Sequence, residues 1–98
     1  MNKINEMKNT IDINRQIFDG NTFLIISSRE GNKIIINFLC QKNCELNIQN
    51  NKGNTALHYA IGNLFFDIVD ILISFGARED ILNKNGLTPW DCVEYNLE

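Results

Sequence analysis

Apolar residues recur along this chain in two alternating patterns. In Ile35, Phe38 and Leu39, and again in Ile68, Ile71 and Leu72, they fall at i, i+3 and i+4, the spacing that lines one face of an α-helix. These stretches predict two longer helices near 32–42 and 66–75, ending at Asn43 and Gly76, residue types that tolerate the left-handed helix cap. Shorter apolar groups begin just after Thr22, Thr55 and Thr88. A threonine hydroxyl there can accept a backbone N–H and cap a helix, and Pro89 suits a first helical position because its missing N–H has no partner to lose. Short helices are therefore predicted to start near 23, 56 and 89.

Both patterns belong to one repeating unit. Gly20, Gly53 and Gly86 are spaced by 33 residues, as are Thr22, Thr55 and Thr88, and Leu24, Leu57 and Trp90 follow at the same offset. Ile35, Ile36, Phe38 and Leu39 map by that shift onto Ile68, Val69, Ile71 and Leu72, Ile48 onto Ile81, and Asn50 onto Asn83. Self-similarity at such a period marks a stacked repeat architecture. Each glycine sits in a polar cluster (Phe18-Asp19-Gly20-Asn21, Asn51-Lys52-Gly53-Asn54, Lys84-Asn85-Gly86-Leu87), which reads as a tight, hairpin-like turn needing positive φ.

A 33-residue unit of a turn plus two antiparallel helices, carrying Gly-Asn-Thr-Ala-Leu-His-Tyr-Ala (53–60) and Leu-Ile-Ser-Phe-Gly-Ala (72–77), resembles the ankyrin repeat. Thr55-Ala56-Leu57-His58 departs from the family's Thr-Pro-Leu-His only at its second residue, and Gly86-Leu87-Thr88-Pro89-Trp90-Asp91 is similar to the opening of a terminal repeat. The first unit is more divergent, with Phe23 and Ile25 in place of Pro and His, and Asn43-Cys44 in place of Gly-Ala.

The resemblance implies an all-α fold, a short solenoid of stacked helix-turn-helix repeats joined by β-turn or hairpin-like loops. Residues 1–16, where Asp12-Ile13-Asn14 precedes Glu45-Leu46-Asn47 by 33, are expected to be the degenerate tail of a preceding repeat and to cap the N-terminal end. Residues 17–49 and 50–82 are the full repeats, and 83–98 a truncated terminal repeat that lacks its outer helix. Between the helices of the first unit stands Gly31, but the second has Leu64 there and is expected to turn with Gly62-Asn63. Trp90, with Val93 and Leu97, is expected to plug the space of the absent outer helix and bury its ring.

Composition narrows the functional classes. Apolar residues make up 44% and charged residues 21%, values ordinary for a globular chain. Nine basic against twelve acidic side chains give a net charge of -3, with no basic run to neutralise a row of phosphates, so nucleic-acid binding is disfavoured. Stretches such as Ile34-Ile35-Ile36 fall far short of the roughly 20 apolar residues that span a bilayer, and the Met1-Asn2-Lys3 start leads into no secretory segment. With three cysteines, an odd number, the expectation is a reducing intracellular compartment, cytoplasmic or nuclear. The abundance of Asn, Ile and Lys reads as AT-rich coding bias, without a functional role.

Candidate chemistry is sparse. His58 is the single histidine, with no second imidazole to share a metal; the resemblance instead makes it a structural group that hydrogen-bonds between the turn loops of adjacent repeats. Cys40, Cys44 and Cys92 with His58 would be the only conceivable zinc set, but Cys40 and Cys44 align with Ile73 and Ala77 and read as small core residues. Asp67, Asp70, Glu79 and Asp80 fall on solvent-facing registers, and the glycines form no phosphate loop. No catalytic residue, metal or cofactor is assigned, and no pocket joining His58 to a cysteine or carboxylate is expected.

The remaining candidate is the exposed surface. The resemblance implies a concave face made of turn tips and inner helices that binds another protein. Carried over residue by residue, it comprises Phe18, Asp19, Asn21, Arg29 and Glu30 in the first unit, Asn51, Lys52, Asn54 and Asn63 in the second, and Lys84, Asn85, Leu87 and Tyr95 in the last. Phe18, Leu87 and Tyr95 are of the type that anchors interfaces; the alternative is that they pack on neighbouring tips and over the missing helix. The expected function is a non-catalytic protein-interaction module, without nucleic-acid partners or membrane insertion, monomeric or weakly self-associating through its open C-terminal end. The alternative is a regulatory or targeting segment of a larger enzyme or complex.

Overall fold

A computed structural model of the chain describes residues 12–96, with side chains to Val93. The expected N-terminal cap up to residue 11, the Tyr95 side chain and Leu97 lie outside the described residues. Each tip closes on itself: Ile17 N–H donates to the Asn21 carbonyl (2.8 Å), Asn50 N–H to Asn54 (2.9 Å) and Asn83 N–H to Leu87 (2.9 Å). The glycine inside each loop has the positive φ that its position demands, 74°, 79° and 76° for Gly20, Gly53 and Gly86. At Gly53 a Cβ would also lie 2.7 Å from the Lys84 nitrogen, so the second and third tips touch backbone to backbone there.

The threonines after the tips start the inner helices. Thr22 Oγ1 accepts the Ile25 N–H (3.1 Å) and opens α1, Phe23–Glu30. Thr55 opens α3, Ala56–Gly62, by a capping box in which the His58 side chain answers the Thr55 N–H. Thr88 and Asp91 repeat that reciprocal pair at 3.3 and 2.9 Å before α5, Asp91–Asn96. The last helix begins two residues later than the repeat register predicts, because Pro89 and Trp90 form tighter i→i+3 turns (Cys92 N–H to Pro89 carbonyl, 3.1 Å).

The outer helices, α2 (Lys33–Gln41) and α4 (Phe66–Ser74), match the predicted spans to within a residue. Both end as expected, on Asn43 (φ 59°) and Gly76 (φ 108°), with Cys44 and Ala77 donating back to Leu39 and Leu72. The turn between α3 and α4 differs from expectation. Gly62 is helical, and Leu64 itself adopts φ 63°, the conformation Gly31 (φ 77°) takes between α1 and α2. The reason is hydrogen bonding: Phe65 N–H reaches the Ala60 carbonyl (2.8 Å) just as Asn32 N–H reaches Ser27 (2.9 Å), and only a left-handed residue between them closes that loop. At Gly31 a Cβ would press on the Phe65 ring at 3.0 Å, so a side chain in the first turn would force that ring to shift.

Among the described residues every regular element is helical. Helices α1, α3 and α5 pack in an inner row and α2 against α4 in an outer row. One core runs between the rows, built from Leu24, Ile25, Ile36, Leu39, Leu57, Ile61, Ile68 and Leu72, with Ala56 and Ala60 small enough to let inner helices approach. Cys40 and Cys44 are buried in it, as the register implies. Trp90 is not. It is 44% exposed, with its indole N–H donating to Glu79 Oε1 at 2.8 Å, and Pro89 occupies the buried site instead. The shift in helix start turns residue 90 outward, so the expected aromatic plug does not form.

Candidate functional site

Carboxamide side chains organise the tip face in ladders that follow the repeat. Asn50 Nδ2 donates to Asn21 Oδ1 and Asn83 Nδ2 to Asn54 Oδ1, both at 2.9 Å. The Asn50 and Asn83 oxygens accept backbone N–H groups within their own tips, from Lys52 and Asn54 and from Asn85 and Leu87. Gln16 Nε2 spans the Gly20 and Gln49 carbonyls, and Gln49 Nε2 spans those of Gly53 and Leu82. Asn14 and Asn47 accept the Glu45 and Arg78 N–H groups one repeat on. These amides satisfy tip groups that would otherwise be orphaned and tie each tip to the next. They give the asparagines a structural role that composition did not reveal.

On this scaffold Phe18 projects from the first tip, 66% exposed. Asp19, Asn51, Lys52, Lys84 and Asn85 are exposed along the tips, Arg29 and Glu30 at the end of α1, and Asn63 just after α3. Asn54 and Leu87 are half-buried: the first is held in a ladder, and the second offers its carbonyl to His58. Asn21 departs from the expected set. It is 1% exposed, its amide committed across the junction to Asn50, so it supports the face from below and does not project from it.

His58 is the strut expected between neighbouring tips. Nδ1 accepts the Thr55 N–H and Nε2 faces the Leu87 carbonyl, each at 3.0 Å, which fixes the proton on Nε2. Burial holds its pKa below the usual histidine range, and the Leu87 contact opposes this only in part. Contrary to expectation, a cleft of about 280 Å³ does join His58 to a cysteine, being lined by Asn54, Tyr59, Asn83 and Cys92 as well. No nucleophile results. Cys92 Sγ donates to the Thr88 carbonyl (3.6 Å), burial raises its pKa, and both imidazole nitrogens are already engaged. Burial likewise raises Cys40 and takes Cys44, beside it, to about 11, which keeps both as inert thiols. Among the described residues no group of three His, Cys, Asp or Glu side chains is placed to hold a metal.

A second cleft, about 150 Å³, occupies the equivalent place between the first and second tips, lined by Asp19, Arg29, Asn51, Lys52 and Tyr59. Tyr59 stands in the wall between the two clefts. Nothing singled it out in the sequence, where it reads as one more residue of the inner helix. Its hydroxyl accepts from Asn50 Nδ2 (2.9 Å) and Asn54 Nδ2 (3.3 Å), and the Arg29 guanidinium lies 5.9 Å from its ring centre.

Known proteins give the same reading. A family model described as ankyrin repeats, in three copies, matches residues 2–90. A Rickettsia felis protein named as an ankyrin repeat protein is 37% identical over 91 residues, covering 84% of this chain and 40% of its own length. Fowlpox virus and Acanthamoeba polyphaga mimivirus have proteins so named that are 38% and 47% identical over 86 and 51 residues. Those alignments cover 85% and 52% of this chain but only 25% and 12% of the viral proteins. Repeats of this kind are generally protein-protein interaction modules and typically non-catalytic, and no helix among the described residues is long and apolar enough to cross a membrane. Repeat register, tip geometry and these matches agree, and the chain belongs to the ankyrin repeat family.

Proposed function

We propose that this chain is a non-catalytic recognition module that holds a partner protein along its turn tips and inner helices. The observation that carries this reading is the contrast between backbone and side chains on the tip face. Backbone groups there are bound into ladders and cross-tip bonds such as Asn51 N–H to Asp19 carbonyl (2.9 Å) and Lys84 N–H to Lys52 carbonyl (3.1 Å). Phe18, Lys52, Lys84 and Asn85 meanwhile stand free above them. A rigid platform with exposed side chains binds without first paying to order itself. Phe18 supplies apolar area at low entropic cost, and the two clefts between successive tips can receive partner side chains.

The test is site-specific photo-crosslinking in the source cell. A photoreactive residue at 18, 52 or 85 should yield one and the same crosslinked partner. The same residue at Gln41 or Asp70, exposed on the outer helices, should not. Crosslinks from the outer helices alone would overturn the reading.

A further inference from the structure

The two clefts share a wall but differ in charge. The cleft at the second junction is lined by asparagines, His58, Tyr59, Leu87 and Cys92, and contains no carboxylate, lysine or arginine, while burial favours the neutral form of His58. At the first junction Arg29 and Lys52 stand on the rim, opposed by Asp19 alone. Among the described residues Asp19 pairs with neither cation, since the ion pairs found are Lys33–Asp67 and Arg78–Asp80. The floor is neutral and satisfied. Asn50 uses both its N–H groups, on Asn21 and Tyr59, and its oxygen accepts two backbone donors.

Tyr59 adds direction. Two amide donors occupy its oxygen, and among the described residues its own hydrogen meets no acceptor. A guanidinium, an ammonium and a phenol O–H therefore border one cavity of about 150 Å³, with room for a short side chain. All three are donors, and two carry positive charge. We infer that the cleft between the first and second tips takes an acidic side chain, Asp or Glu, of the partner protein. This rests on the reading of the tip face as the recognition surface and names the partner chemistry that surface selects.

Spacing gives the inference a second part. Packed helices lie about 8–10 Å apart and an extended chain advances about 3.3 Å per residue. A segment lying across the tips thus reaches the second cleft about three residues beyond the acid. That cleft offers carboxamides and a tyrosine face, so the residue there is neutral and hydrogen-bonding. Asn or Gln fits it.

The experiment is an NMR titration of the full chain with two peptides, acetyl-Gly-Gly-Glu-Gly-Gly-Gln-Gly-Gly and its Glu→Gln form. The acidic peptide should bind about 3- to 10-fold more tightly, the ratio expected of two exposed charge-assisted contacts, and its shifts should centre on residues 29, 52 and 59. Raising the salt, or the double change Arg29→Gln with Lys52→Gln, should abolish the preference; circular dichroism confirms that the variant is folded. Equal binding of both peptides, or shifts centred elsewhere, would overturn the inference. So would a stronger response to inorganic phosphate at the same concentration, which would assign the cleft to phosphate groups. Tip crosslinks without an acidic preference would sink this inference and leave the recognition surface standing. An acidic preference without tip crosslinks would leave the cleft selective for acids but overturn the tip face as the partner's surface, and with it the assignment of that acid to the partner.

Discussion

The first and second repeats share one register but not one environment. Ile35 and Ile68 hold the same place in their outer helices, yet Ile35 is 43% exposed and Ile68 only 3%. Phe23 is likewise exposed where Ala56 is buried. The second repeat lies between two neighbours, whereas among the described residues no helix of a preceding repeat packs against the near flank of the first. Burial in a stack is thus a property of the neighbour as much as of the residue, as expected where each repeat touches only the next.

The largest difference should appear at the positions of Leu57 and Trp90. Leu57→Ala empties a fully buried site and should cost about 2–5 kcal/mol, read from the urea midpoint. Trp90→Ala loses one exposed hydrogen bond and a half-covered ring, about 1 kcal/mol, and the native Trp90 emission should lie close to that of the unfolded chain. A large loss at Trp90 would mean that the terminal repeat is packed like the second. The outer-row pair comes next. Ile68→Ala should cost about 2–4 kcal/mol and Ile35→Ala under about 1 kcal/mol, and equal losses would show that the first flank is covered in solution.

The tip glycines sharpen the same contrast. Gly53→Ala forces a Cβ onto Lys84 backbone at positive φ and should cost about 2–3 kcal/mol, whereas Gly86→Ala, with open space around it, carries only the conformational strain of about 1 kcal/mol. Thermal melts of both variants test this.

His58 should give the second repeat a pH response that Ile25 denies the first. Its folded-state pKa lies below the unfolded value, so the folded chain binds fewer protons and stability is greatest with the ring neutral. Stability should be full above about pH 6.5, the unfolded histidine value, and fall as pH drops through it toward the folded pKa. Melts at pH 7.5 and 5.5 measure the slope, which a His58→Asn variant should lack in that window.

The smallest effect is a gain. Leu64 holds a left-handed conformation that glycine adopts freely, and Leu64→Gly should stabilise by about 0.5 kcal/mol after the entropy of the unfolded glycine is counted. The reverse change, Gly31→Leu, should destabilise through the Phe65 ring.

The repeat period, the tip glycines, the threonine caps and the outer-helix spans all follow from the sequence, because each is a local requirement that one residue type meets at one spacing. His58 was also legible, through its place in the motif. Other features depended on partners that no local pattern names. The ladder asparagines and glutamines are ordinary polar residues until a tip 29 or 33 positions away supplies the other half of the bond. Asn21 looked like a surface residue for that reason, and Tyr59 like an unremarked helical one. Leu64 turns where Gly62-Asn63 was expected because closure of the Ala60–Phe65 bond outweighs the strain of one leucine. Trp90 is exposed because two residues of tighter turn rotate it out of the register it keeps in sequence. Sequence periodicity set which residues recur. Tertiary contacts across the repeat junctions decided which of them are buried, paired or left free to bind.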